Sequence, residues 1–140
     1  MIRVVIDTNV LVSGTFWLSD SFQVLQLIDG AQILLVVSPP ILTEYDELLH
    51  REEIMDKDAY SRERVESVEK LLLKALLVEP KTLLQVIKAD PDDDKFLEAA
   101  IAGNATYLIS QDKKHLLSLK EFRGIKIISP EEFLKVFERR

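Results

Sequence analysis

Four short apolar runs constrain this chain most: IRVVI at 2–6, ILLVV at 33–37, YLIS at 107–110 and IKII at Ile125–Ile128. Each is too short for a stable helix and close to continuously apolar, the pattern of a strand buried on both faces. Between them lie stretches with apolar residues at helical spacing. Ile41, Tyr45, Leu48 and Leu49 share one side of a helix predicted at 39–52. Val65, Val68, Leu72, Ala75 and Leu76 do so at 61–77. Further helices are predicted at 21–29, 91–102, 113–119 and Pro130–Glu138, and a short strand at 77–79. Strands that alternate with helices give a parallel sheet covered on both faces, so the expected fold is a three-layer α/β/α domain.

The punctuation agrees. Gly14, Gly30, Gly103 and Gly124 fall where elements are expected to end. Ser38-Pro39, Asp90-Pro91 and Ser129-Pro130 each offer an N-cap oxygen followed by proline at the first helical position. Ser129 and Glu132 have capping-box spacing. With 140 residues and no repeat or linker, one domain spanning 1–140 is expected. The absence of cysteine excludes disulfides and thiolate metal sites and fits a reducing cytoplasm. The N-terminus reads as a strand rather than a leader segment, and no apolar run is long enough to cross a membrane. A net charge of −6 argues against a bulk electrostatic nucleic-acid binder, though not against a nucleic-acid enzyme whose own metal ligands add negative charge.

Most of the 24 acids suit a solvated surface, such as Glu63, Glu66 and Glu69 beside Arg62, Arg64 and Lys70. Four are placed differently. Asp7 ends the first strand and Asp112 follows the strand at 107–110. Glu44 borders the apolar stripe of its helix, although Asp46 borders it on the other side. Asp93 sits in the first turn of the helix in "DPDDDKFLEAA". In parallel α/β sheets, ligands bind beyond the carboxyl ends of the strands, where strand order reverses. Each acid alone also has an ordinary reading: Asp7 as a helix cap, Asp112 as a turn former, Glu44 as a solvated helix residue, the triplet Asp92–Asp94 as a complement to the helix dipole. Taken together, converging carboxylates repel unless a cation offsets them, and a cysteine-free carboxylate site suits Mg²⁺ or Mn²⁺. If Asp90 caps and Pro91 is the first helical residue, Asp93 points toward the sheet and Asp94 lies nearer solvent.

The spacing Asp7, Glu44, Asp93, Asp112 resembles that of the PIN-domain family of ribonucleases. "VVIDTNVLVSG" is similar to the family's opening strand and aspartate, "SPPILTEYDELL" to its glutamate-bearing helix, and "DPDDDKFLEAAIAGNATYLISQDKKHLL" to its third aspartate, small-residue helix and Ser/Thr-x-Asp strand end. The resemblance is closest to VapC-like toxin components of prokaryotic toxin–antitoxin pairs. It implies strand order 3-2-1-4-5 and divalent-metal-dependent cleavage of single-stranded RNA by metal-activated water. It implies Asp7, Glu44, Asp93 and Asp112 as catalytic metal ligands, with Asn9 and Ser110 as polar neighbours. It also implies a homodimer, an antitoxin partner and a cytoplasmic location. Ser110 stands where threonine is common, and Lys113-Lys114 is one basic residue longer than usual.

Lys113, Lys114 and His115 follow Asp112 and are candidates to contact substrate phosphates. His50, near a helix end, reads as a surface residue. Phe16 and Trp17, expected in a loop, suit core or dimer packing better than base stacking. An aspartyl phosphatase commonly wants a second aspartate two residues after the first, where this chain has Asn9. A response-regulator receiver needs an aspartate at the end of a middle strand, where this chain has Val37-Ser38. The competing reading that remains is a non-catalytic PIN-like module binding RNA or protein.

Overall fold

A computed structural model describes residues 1–84 and 93–139. Its elements run β1 (Arg3–Ile6), α1 (Thr8–Phe16), α2 (Asp20–Asp29), β2 (Leu34–Val37), α3 (Pro39–Leu49), α4 (Glu52–Met55), α5 (Ser61–Leu72) and β3 (Leu76–Leu77). They continue with α6 (Asp94–Ala102), β4 (Tyr107–Ile109), α7 (Leu116–Leu119), β5 (Glu121–Phe122), β6 (Ile125–Ile128) and α8 (Pro130–Glu138). The architecture is the expected α/β/α sandwich. The sheet order is β3-β2-β1-β4-β6-β5, parallel except for the β5–β6 pair. The five parallel strands thus follow the 3-2-1-4-5 order, with one short antiparallel strand added at the edge.

That extra strand has a local cause. Arg123 and Gly124 join β5 to β6 with φ of +49° and +83°. Two consecutive left-handed residues make the tight hairpin whose twist matches its strands.

Val4, Val5 and Ile6 of β1 are completely buried, as are Leu35 and Val36 of β2 and Leu108 and Ile109 of β4. Each such side chain contributes about 1.5–3 kcal/mol of transfer free energy. β1 registers with β4 through Val4–Tyr107, Val5–Leu108 and Ile6–Ile109, which brings the ends of these two strands level. The chain moves from β1 outward through β2 and β3, then returns to β4 on the other side of β1. The order therefore reverses between β1 and β4.

Several boundaries differ from the sequence reading. The helix expected at 39–52 ends at Leu49, with His50 as its C-cap, and the chain restarts as α4. The helix expected to reach 77 ends at Leu72, and Leu76–Leu77 pairs with Val36 and Val37 as β3. Helix α7 is shorter than expected. The Asp90 cap and the Pro91 helix start lie outside the described residues; within them Asp93 precedes α6 as its N-cap residue. Ser129 does cap α8, accepting from the Glu132 amide at 3.2 Å, but Glu132 accepts from the Ser129 hydroxyl rather than reaching back to its amide.

The main correction is α1. Phe16, expected in a loop, closes a nine-residue helix, and Gly14, expected at an element end, lies inside it. Helix α1 packs on α2 there. A methyl group at Gly14 would lie 2.7 Å from Leu25 Cδ1 and 2.9 Å from the Ser21 carbonyl oxygen. We expect Gly14→Ala to lower stability by about 1–3 kcal/mol through this overpacking, despite alanine's gain of about 0.8–1 kcal/mol in helix propensity. Chemical denaturation would measure it, and a stabilised variant would mean that α1 and α2 can part at no cost.

Candidate functional site

The chain leaves β1 at Ile6 and enters α1 at Thr8, so Asp7 is both strand end and helix cap. Its Oδ1 accepts from the Val10 amide at 2.9 Å, the ordinary capping bond. Its Oδ2 faces the end of β4, accepting from the Ser110 hydroxyl and, at 3.3 Å, from the Gln111 amide. The Asp7 amide donates to the Ile109 carbonyl at 3.0 Å and ties the two strand ends together. The two readings of Asp7 are therefore compatible: one oxygen caps while the other looks across the switch point.

Asp7 is 4% exposed. Burial pushes its carboxyl above the usual carboxylate range, and the charge of Asp112 adds to the rise, against the lowering effect of the bonds from Ser110, Val10 and Gln111. Asp112 follows two residues beyond Ser110, whose oxygen accepts from the Asp112 amide at 2.9 Å. The Asp112 Oδ1 accepts from the amides of Lys114 and His115, each at 3.2 Å, so it also shapes its own turn.

Asp7, Glu44, Asp93 and Asp112 line one cavity of about 360 Å³, together with Thr8, Asn9, Leu48, Phe96 and Leu116. Residues far apart in sequence are thus gathered at one sheet edge. Asn9 is exposed at the rim, and Ser110 is fully buried behind Asp7. Lys113 and Lys114 are exposed. The His115 ring turns onto Asp112, with Nδ1 3.3 Å from Oδ2. Asp94, expected nearer solvent, is only 3% exposed and does not line the cavity. Helix α6 begins at Asp94, so its first turn packs inward while the preceding Asp93 faces the cavity.

Three contributors escaped the sequence reading. Lys95 places Nζ 2.7 Å from Glu44 Oε1, and the Thr8 hydroxyl donates to the other oxygen. Glu44 is thus already ion-paired. Tyr45, fully buried, donates its hydroxyl to the Ile6 carbonyl and pins the end of β1. Burial, reinforced by the charges of Asp7 and Glu44, holds that phenol well above its usual pKa, so it remains a donor. Tyr45 was legible only as part of an apolar stripe, and Lys95 only as the next charge after an acidic triplet. Phe16 packs against the core, whereas Trp17 is 51% exposed with Lys57 Nζ 3.6 Å from its ring centre.

His50 sits apart from the cavity, with Nδ1 3.1 Å from Asp46 Oδ1 and Nε2 3.8 Å from Glu69 Oε1. No helix among the described residues is long and apolar enough to cross a membrane.

A parallel α/β/α fold with carboxylates gathered at its switch point defines the class of α/β domains with an acid-lined site at the strand ends. Residues 3–114 match the model of the PIN domain, and the chain belongs to that family. PIN domains are in general nucleases that use divalent metals. No curated protein matches the sequence. Among solved structures, the chain is similar to PAE2754 from Pyrobaculum aerophilum, with TM-score 0.67 and 15% identity, covering 99% of this chain and 91% of that one. It is also similar to a chain of VapBC2 from Rickettsia felis, solved bound to a DNA fragment from their promoter, with TM-score 0.55 and 14% identity, covering 90% and 97%. At these identities the likeness establishes the fold.

Proposed function

We propose that this chain is a divalent-metal-dependent endoribonuclease that cleaves single-stranded RNA, with Asp7, Glu44, Asp93 and Asp112 holding Mg²⁺ or Mn²⁺. The observation that carries the reading is the meeting of these four acids around one cavity at the β1–β4 switch point. The donors fit such an ion. They are hard carboxylate oxygens, and the buried Asp7 carboxyl has its pKa raised, the mark of a charge that lacks full compensation. A bound divalent ion lowers the pKa of a water and offsets the charge that builds up on the phosphate during displacement.

The chain's own residues do the positioning. Ser110 orients Asp7, and Tyr45 fixes the strand end that carries it. Lys95 and Thr8 hold Glu44 on the cavity wall. Asn9, exposed in the cavity lining, hydrogen-bonds a phosphate oxygen or a water in this reading. Lys113 and Lys114 supply exposed cations beside Asp112 for neighbouring phosphates.

Within this reading the protein is the toxin of a toxin–antitoxin pair, acts in the cytoplasm, forms a homodimer and is bound by an antitoxin protein. The resemblance to VapC-like sequences and the likeness to a chain of the VapBC2 complex support this part. Incubation with a single-stranded RNA, its duplex and the DNA of the same sequence tests the substrate class. Internal cleavage of the single strand is expected, and equal cleavage of all three would remove the RNA assignment.

Metal should also stabilise the fold, because it binds the folded form. At a hundredfold excess over Kd the gain is about 2.7 kcal/mol, a rise of roughly 8 °C in melting temperature for a chain of this size. Absence of both a shift and a heat of binding at millimolar Mn²⁺ would favour the non-catalytic module.

A further inference from the structure

We propose that His115 is a nitrogen ligand of the metal site, added beside Asp93 and Asp112 to the four carboxylates, and that it makes the site prefer Mn²⁺ to Mg²⁺. This rests on the nuclease reading and sharpens it.

The four acids line one cavity. His115 adjoins the cavity between Asp112 and Leu116, which line it, and its ring turns onto Asp112. One carboxylate oxygen each from Asp93 and Asp112 and one ring nitrogen of His115 lie within 4.8 Å of one another, and all three residues are half-buried. Two donors about 2.1 Å from one ion lie about 3.0 Å apart at a right angle and about 3.4 Å apart at a tetrahedral angle. The His115 Nδ1 to Asp112 Oδ2 separation of 3.3 Å falls between these values.

Backbone geometry holds the ring there. The His115 amide donates to Asp112 Oδ1, which locks the turn connecting ligand to ligand. The adjoining Leu116 is buried and lines the cavity, so the turn is anchored on its far side as well.

An imidazole changes ion preference. Mg²⁺ takes oxygen ligands and keeps its waters, whereas a nitrogen ligand raises affinity for transition metals, least for Mn²⁺ and more for zinc. An imidazole added to the carboxylates therefore suits Mn²⁺ better than a site of oxygens alone would.

The test uses Mn²⁺ itself as probe, read by pulsed electron paramagnetic resonance, which detects a directly bound ¹⁴N nucleus. His50, the other histidine, lies near Asp46 and Glu69 outside the cavity. Spectra are therefore recorded in a His50→Ala background. Directly coupled ¹⁴N is expected there, and its loss on adding His115→Ala. Calorimetry should show Mn²⁺ affinity falling on the order of tenfold or more in His115→Ala, with Mg²⁺ affinity falling much less. The coupling in the protein that keeps His115 decides the matter even if His115→Ala fails to fold. Mn²⁺ that binds without ¹⁴N coupling, and is lost in Asp93→Asn, would overturn the role of His115 while leaving the nuclease reading intact. No Mn²⁺ binding at all would overturn both.

Discussion

Asp7→Asn is expected to reduce RNA cleavage by about 10²–10³-fold, several kilocalories per mole of lost charge stabilisation at tenfold per 1.36 kcal/mol. The same variant should fold. Asparagine keeps an oxygen to accept from the Val10 amide, so the cap on α1 survives. It also removes a buried charge whose desolvation pushes the native pKa up. Without metal, the variant should therefore melt at an equal or higher temperature near neutral pH.

The sign of the pH dependence follows from the same shift. A carboxyl with a folded pKa above its unfolded value stabilises the fold fully below the unfolded pKa, and that contribution is lost as pH rises through the folded one. Metal-free wild type should thus gain stability relative to Asp7→Asn as the pH is lowered from neutral. Calorimetric melts of both proteins across that range check it. A variant with full cleavage activity would leave Asp7 as a cap and nothing more.

Asp93→Asn and Asp94→Asn should separate cleanly. Asp93 lines the cavity with the other acids, so its amide variant should lose metal binding and cleave roughly 10²-fold more slowly. Asp94 is the more buried of the two, but it lies off the cavity. Its variant should show its effect in melting temperature, while the folded fraction retains metal affinity and turnover. Metal titration of both variants decides between them. Loss of binding in Asp94→Asn alone would move the site one residue along α6.

The pairing of these neighbours shows where sequence reasoning stopped. The burial of Asp94 depends on where α6 begins, and the acidic triplet offers no apolar marker for that start. Glu44 and Asp46 flank the same stripe, so periodicity could not choose between them. Only the tertiary fold does, turning Glu44 to the cavity and leaving Asp46 exposed beside His50. The ion pair of Glu44 with Lys95 spans 51 positions, a separation over which local patterns carry no signal. Asp7 and Asp112 were more legible, because a charge at or just beyond the end of an apolar strand is unusual whatever the rest of the fold does.

The fold was legible wherever an element had a clear period or a clear end. The strands β1, β2, β4 and β6 stand out as apolar runs between polar residues. Helix α1 did not, since "TNVLVSGTF" has no charged face to set against a buried one and contains a glycine. Its partner explains the glycine: α2 approaches too closely for a side chain. Strand β5 has two residues and exists only through its pairing with β6. A strand of that length has no pattern of its own.

The central claim is that the acid-lined cavity cleaves RNA only when a divalent ion occupies it. The direct measurement is cleavage of an unstructured single-stranded RNA by protein stripped of metal with chelator, then resupplied with Mn²⁺, with the quadruple variant that turns Asp7, Glu44, Asp93 and Asp112 into amides as control. Cleavage should vanish with chelator, return with Mn²⁺, and stay absent from the quadruple variant in either condition. Robust cleavage by the stripped protein in excess chelator, or by the quadruple variant, would contradict the account.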